Sequence, residues 1–321
     1  MKKKPGRKRQ ERPKKLIKKK GPNSITYRPM VADVDALLPK GFRAVGISQG
    51  VLEYGKPIFE YVISKKGLDT AMAIVQGIWN YALQVEKGEE DSEIERVYID
   101  DVKAFTRNDE VISTVLFHEM VKRRAFLFPP EMQVEKLPLL MIMRNEKPVA
   151  IAKYDYGVLD IAESPAPVKK SDIQFIQKLS ALDKLFLESD DYSQWESALL
   201  DVQEMSVKCF GEWLHDKGLT QVIHEFADCP EVLINFVYAY MHDDIFTLKD
   251  FRMEYFKEFF FDYLLRKVTC EPEEYTIWPP ALKLFYRFLH EKAYIENPDP
   301  IIKYIDTIEK PYIEILKERY A

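Results

Sequence analysis

"EYFKEFFFDYLL", residues 254–265, decides how this chain folds. Wound into a helix, the stretch leaves no face polar enough to meet water. A helix that is apolar all round belongs in the centre of a bundle, so its neighbours in sequence must supply the surrounding layer. They have the right pattern. Ile176, Leu179, Leu182 and Leu185 form one apolar stripe at helical spacing; Trp195, Leu199, Val202, Met205, Phe210 and Trp213 form a second, ended by Gly218. Val232, Phe236, Val237 and Tyr240 make a third, and Phe251, Tyr255, Phe259 and Tyr263 run through the central helix itself. Leu284, Phe285, Phe288 and Leu289 make the last. Everything after residue 171 therefore reads as helix. Unequal spacing between the stripes gives no fixed repeat, which excludes a regular solenoid and leaves an irregular helical array.

Upstream, "SPAPVKKSD" (residues 164–172) reads as a linker, with Ser171 or Asp172 capping the helix that follows. Before it the texture changes. Residues 138–143 and 149–154 are rich in apolar and β-branched side chains and flank "RNEK" and Pro148, which predicts a β-hairpin, with a third strand at 157–161. An isolated hairpin is marginal in water, so it has to lie on the helices, through alternate residues such as Leu140 and Ile142. Residues 30–130 read as helical. One helix starts at an Asp69 cap and repeats through Ile74, Ile78, Tyr81 with Ala82, and Val85, with Gly88 after it; another spans about 109–125 on a stripe including Val111 and Val115. The expected fold is mainly α, an irregular helical array with a small β-hairpin insertion. It divides into a disordered basic tail at 1–25, a helical domain at 26–165 carrying the hairpin near 138–161, and an all-helical domain at 171–321.

With 321 residues, 46% of them apolar and 13% aromatic, the body has ample material for a core. Its charge is unevenly distributed. Residues 1–20 hold twelve Lys or Arg against Glu11, a net +11; the whole chain is −5, so the remainder carries −16. That asymmetry points to an interaction arm, because a body at −16 repels nucleic acid and anionic membranes. Pro5, Gly6, Pro13, Gly21 and Pro22 interrupt the arm, and it has too little apolar surface to offset the entropy of ordering. Cys209, Cys229 and Cys270 form neither a CxxC pair nor an even-numbered framework, and the basic start lacks the apolar run of a secretory signal; a reducing cytoplasm is the expected location. The longest wholly apolar run, "LPLLMIM", is far too short to cross a bilayer.

Motifs that would name a reaction fail on chemistry. "HEMVK" at residues 118–122 has Lys122 where a zinc-protease helix needs its second His. "GISQG", residues 46–50, matches the letters of a nucleophile elbow around Ser48, but that device needs a strand before it, and the preceding "GFRAV" is short and charged, so the segment reads as a helix entry. No glycine spacing forms a phosphate cradle. The pairs His215 with Asp216, and His242 with Asp243 and Asp244, together with His224 and Asp250 or Asp262, overlay the ligand pattern of helical metal phosphohydrolases. Both pairs also end amphipathic helices, where an imidazolium suits the C-terminal dipole and an aspartate caps the next element. Acidic doublets at Asp100 and Asp101 and at Asp190 and Asp191, and the acidic run "GEEDSEIE" (residues 88–95), read as solvated surface.

"IVQGIWNYALQ" (residues 74–84), "FGEWLHDKGLT" (residues 210–220) and the stretch from "YFKEFFFDYLL" to "FLHEKAYI" (residues 255–295) resemble the helical regions of uncharacterised prokaryotic proteins that often carry a SecA-C-terminal-type zinc motif. The resemblance covers about half the chain and implies a helical body and no activity. The cysteine-rich zinc knuckle itself is missing from this sequence. "PGRKR", residues 5–9, resembles a minor-groove AT-hook, with Pro5 where that motif has arginine.

The function expected from these residues is non-enzymatic binding of nucleic acid, without sequence preference, ribosomal RNA or the ribosome included. The contacts fall to Lys2, Lys3, Lys4, Arg7, Lys8, Arg9, Arg12, Lys14, Lys15, Lys18, Lys19 and Lys20. Such tails neutralise phosphates without reading bases, and with no aromatic residue before Tyr27 this one has no means of stacking on them. No cofactor or metal is expected. The alternatives are a protein-interaction scaffold using the acidic body, with the tail folded back on it, and a metal-dependent phosphohydrolase built on the His–Asp pairs.

Overall fold

The computed structural model describes residues 30–62, 65–133, 139–154, 165–188, 192–241, 244 and 246–321. The basic tail, the third strand expected at 157–161, and His242 and Asp243 lie outside the described residues. The chain opens with α1 (Val31–Asp35), β1 (Phe42–Gly46) and α2 (Ile47–Phe59). Three longer helices follow: α3 (Lys65–Val85), α4 (Ser92–Lys103) and α5 (Glu110–Leu127). After β2 (Leu140–Arg144) come α6 (Lys170–Glu188), α7 (Glu196–Asp216), the short α8 (Ile223–Phe226) and α9 (Cys229–Asn235). The chain ends with α10 (Met253–Glu258), α11 (Leu264–Lys267), α12 (Trp278–Glu291) and α13 (Asp299–Tyr320). Mainly helical, with a two-stranded antiparallel sheet as its minor element, the protein has the fold class its sequence predicts.

The strand partner is different from the one expected. β2 pairs antiparallel with β1, Ala44 opposite Ile142 and Val45 opposite Met141, while residues 149–154 form no strand. "GFRAV" is therefore a strand, and its charge is absorbed locally. Arg43 donates to Asn145, faces Glu53 at 3.7 Å and stacks over Tyr320 at 4.9 Å, so the buried guanidinium has its charge met by groups from three other parts of the chain. Asn145 and Val149 are diverted from a local hairpin by α13: Asn145 Nδ2 donates to the Arg319 carbonyl, and Val149 N to the Tyr320 carbonyl.

The sheet is a wall between two hydrophobic clusters. Ala44 and Ile142 face the larger one, which takes α1 and the helices from α6 onward; Val45, Met141 and Met143 face the smaller one, built from α2, α3, α4 and α5. Val31, Ala32, Val34, Ala44, Ile142 and Ile151 thus pack with the C-terminal helices although they precede residue 165. The segment read as a linker is tied down. Ala166 N donates to Glu291 Oε2 at 3.1 Å, the Pro167 carbonyl accepts from Lys292 Nζ at 3.0 Å, and Asp172, in the first turn of α6, accepts from Lys169 N and pairs with Lys292 at 2.8 Å.

At the centre, Phe256, Phe259, Phe260, Leu264 and Leu265 are fully buried, as the opening stretch requires. Residues Phe259–Tyr263 and Phe236–Tyr240 are π-helical, one residue wider per turn than α. The two wide turns face one another through Phe236 against Phe259 and Tyr240 against Tyr263. Two expected stripes are rotated and one helix starts earlier than expected. On α6 the buried side chains are Asp172, Phe175, Leu179, Leu182, Asp183 and Phe186, with Leu185 exposed. On α5 they are Ser113, Leu116, Phe117, Met120, Arg124 and Leu127, with Val111 and Val115 facing outward. α3 begins at Lys65, so Asp69 lies inside the helix rather than capping it.

Candidate nucleic-acid interface

The twelve basic residues proposed to meet phosphate precede the described part; what the structure places is the point to which they are attached. α1 has unsatisfied N–H groups at its start, like any helix. Met30 N donates to Asp33, and Val31 N donates to Asp262 Oδ1 at 3.1 Å, on the π-turn of the central helix. Arg266 Nη2 binds Asp262 Oδ2 at 2.7 Å, and Tyr240 reaches the same oxygen at 3.3 Å while accepting from Arg266. Burial, seconded by the Asp262 charge, pushes the Tyr240 hydroxyl up to about 12, so it stays a donor across the physiological range. Val31, Ala32 and Val34 are buried beside this cluster. The arm is thereby joined to a fixed point on the body.

Much of the body's own positive charge is committed to ion pairs. Lys103 pairs with Asp100 and Glu110, Lys169 with Glu212 and Asp216, and Lys283 with Asp306 and Glu309; Arg123, Arg124 and Arg319 are held by Glu146, Glu86 and Asp35. An open cleft of about 440 Å³ lies between residues 246–252 and the start of α13, with Phe246, Phe251 and Ile301 in its lining and Lys249 and Arg252 among its polar groups. Lys249 leans inward, 3.6 Å from Asp183 and 4.3 Å above the Tyr294 ring.

Asp183 was missed by sequence reasoning. It sits on the buried face of α6, where Tyr238 donates to Oδ1 at 2.5 Å and Tyr294 to Oδ2 at 2.9 Å. Burial raises its pKa in spite of those hydrogen bonds and Lys249. The sequence does carry a signal: Phe175, Leu179 and Phe186 share a helical face, and Asp172 and Asp183 interrupt that face with carboxylates.

Among the described residues the catalytic candidates do not assemble. His215 is exposed and lies 3.7 Å from its neighbour Asp216, which Lys169 holds at 2.7 Å; His224 is exposed, and Asp262 is committed to the α1 anchor. Among the described residues no group of three or more His, Cys, Asp or Glu side chains is placed to hold a metal. Ser48 does stand at a strand-to-helix junction, but on an ordinary helical turn, outside the left-handed residues Arg107, Asn108 and Ala293. The two glycines of "GISQG" have a packing role instead. A Cβ on Gly46 would lie 2.6 Å from the Arg266 carbonyl oxygen, and one on Gly50 would meet Met141 and Phe128. Burial raises the Cys209 thiol to about 11 and Cys270 to about 12, far from the range of reactive thiolates. His118, in the failed zinc-protease motif, is exposed and bonded to Glu95 at 3.0 Å.

No helix among the described residues is long and apolar enough to cross a membrane. No family model, no curated protein and no solved structure matches the chain.

Proposed function

We propose that this protein binds nucleic acid without sequence preference through its N-terminal arm, the acidic helical body serving as carrier. The observation that carries the reading is the charge division, +11 on residues 1–20 against −16 on the rest. A run of Lys and Arg releases counterions from a phosphate backbone, whereas a body of opposite sign contributes repulsion, so the arm alone supplies the attraction. The anchoring of α1 through Val31 and Asp262 supports this division of labour, because it separates a fixed carrier from the charged segment.

The test compares the full chain with a form lacking residues 2–20, using fluorescence anisotropy with labelled 20-nucleotide RNA and DNA at graded salt. Contact with about six to eight phosphates gives a log–log salt slope of about −4 to −7 for the full chain. Sequence and sugar should matter little. The deleted form should not bind, while its thermal unfolding stays within about 0.5 kcal/mol of the parent, since no core residue is removed. Equal binding by the two forms overturns the reading.

A further inference from the structure

The α4–α5 hairpin turns an apolar ridge to solvent. Val111 and Val115 are 74% and 51% exposed on successive turns of α5, and Val97 is 57% exposed on α4. The pairs Lys103 with Glu110 and His118 with Glu95 fix the antiparallel register, which sets Val97 level with Val115. The hairpin that carries the ridge is acidic. Residues 86–119 contain eleven Asp or Glu and four Lys or Arg, so this hairpin holds −7 of the body's −16. It is also rigid. Arg107 and Asn108 in its turn are left-handed at φ 56° and 61°, held there by the buried hydroxyl contact of Thr106 with Ser113 at 2.6 Å and by Asp109 capping α5 at Ile112 N. A preformed ridge on an acidic hairpin suits a short apolar segment flanked by cations.

The chain contains such a segment. Residues 14–20, "KKLIKKK", place Leu16 and Ile17 between two lysines on one side and three on the other, the one branched-apolar pair in the arm. We propose that this segment docks on the outer face of the α4–α5 hairpin of the same molecule. Leu16 and Ile17 cover Val97, Val111 and Val115, and the lysines meet Asp100, Asp101 and Glu110. Tethering raises the effective concentration of the segment without any further contact. Docking and phosphate binding use the same lysines, so the body competes with nucleic acid for its own arm. The regulatory half of this inference rests on the nucleic-acid reading above; the docking half does not.

The full-length chain is treated with a carbodiimide, which joins lysine amines to carboxylates in direct contact, and the linked peptides are identified by mass spectrometry. A mixture of isotopically light and heavy chains separates links within one molecule from links between two. The comparison protein is Val111→Ser/Val115→Ser, whose changes lie on exposed positions outside the core, so its helical circular dichroism and cooperative unfolding should be retained. Expected are intramolecular links from residues 14–20 to Asp100, Asp101 or Glu110 in the parent and their loss in the variant. Affinity for a labelled 20-nucleotide RNA should rise, by up to about tenfold if nine-tenths of the parent is docked, because the apparent Kd scales inversely with the free fraction. Links scattered alike over other carboxylates in both proteins, or links only between light and heavy chains, would each overturn the docking; specific links lost in the variant with a measurable RNA affinity that does not change would overturn the competition. If neither protein binds RNA while the specific links persist, the docking stands and the nucleic-acid reading falls.

Discussion

Replacing Glu291 by Gln tests how the strap at residues 165–169 is fastened. In the native protein Glu291 Oε1 lies 2.6 Å from the Lys217 ammonium, and Oε2 accepts from Trp213 Nε1 at 2.7 Å and from Ala166 N at 3.1 Å. Lys217 is only 3% exposed. Glutamine keeps an oxygen for the strap but removes the counter-charge and turns an NH2 towards the ammonium. Removing one partner of a buried pair costs about 3–5 kcal/mol; Glu291 retains some solvent, and the Trp213 face below Lys217 compensates in part, which puts the expected loss at about 3 kcal/mol. Burial alone would raise the Glu291 pKa, but the bonds from Lys217, Trp213 and Ala166 outweigh it and hold the carboxyl below the usual glutamate range. A lowered folded-state pKa stabilises above the unfolded value, and that contribution disappears as the pH falls through the folded one. Urea unfolding of parent and variant should therefore diverge at pH 7 and draw together only as the pH falls through the lowered Glu291 value. The pair Lys217→Met/Glu291→Gln should regain most of the loss, because no buried charge is left behind. A single-variant loss under about 0.5 kcal/mol, or a loss that does not shrink as the pH falls through that value, would refute the reasoning.

Phe260→Ala, at a fully buried position of the central helix, should lower stability by about 3–5 kcal/mol in denaturant titration; a loss below about 1 kcal/mol would mean the site is not core. Gly46→Ala should force β1 away from α11, because its Cβ would meet the Arg266 backbone oxygen at 2.6 Å, and a melting temperature within a degree of the parent would contradict that packing. Ala293 ends α12 in a left-handed turn at φ 58°, with Tyr294 N bonded to the Leu289 carbonyl and Ala293 N to that of His290; Ala293→Gly should therefore stabilise by about 1 kcal/mol, measured as a raised urea midpoint.

Local pattern carried the reading wherever one element's own residues decide its environment. The all-round apolar stretch at 254–265 and the stripe of α12 are legible because burial on every side, or on one wide side, is written into 3.6-residue spacing. Val111 and Val115 show where that logic fails: α5 is apolar on more than one face, and only the position of α3 and α4 selects Leu116, Phe117 and Met120 for the core. β1 was hidden for a related reason. Arg43 makes the segment look like surface until Asn145, Glu53 and Tyr320 arrive from three other parts of the chain. The place of Asp183 on an apolar face was legible, but its two tyrosine partners were not, since they are 55 and 111 residues away.

By itself, the sequence determined the helical class, the central helix and the separation of a +11 arm from a −16 body. These follow from composition and short-range period, quantities that do not depend on which segments meet. Tertiary structure alone decided the pairing of β1 with β2, the commitment of Asp262 to the root of the arm, and the outward turn of the α4–α5 ridge. Each is a choice among partners distant in the chain. Such choices are made by how whole elements fill one core, where a buried charge must find its counterpart and an apolar face is covered only if a neighbour reaches it.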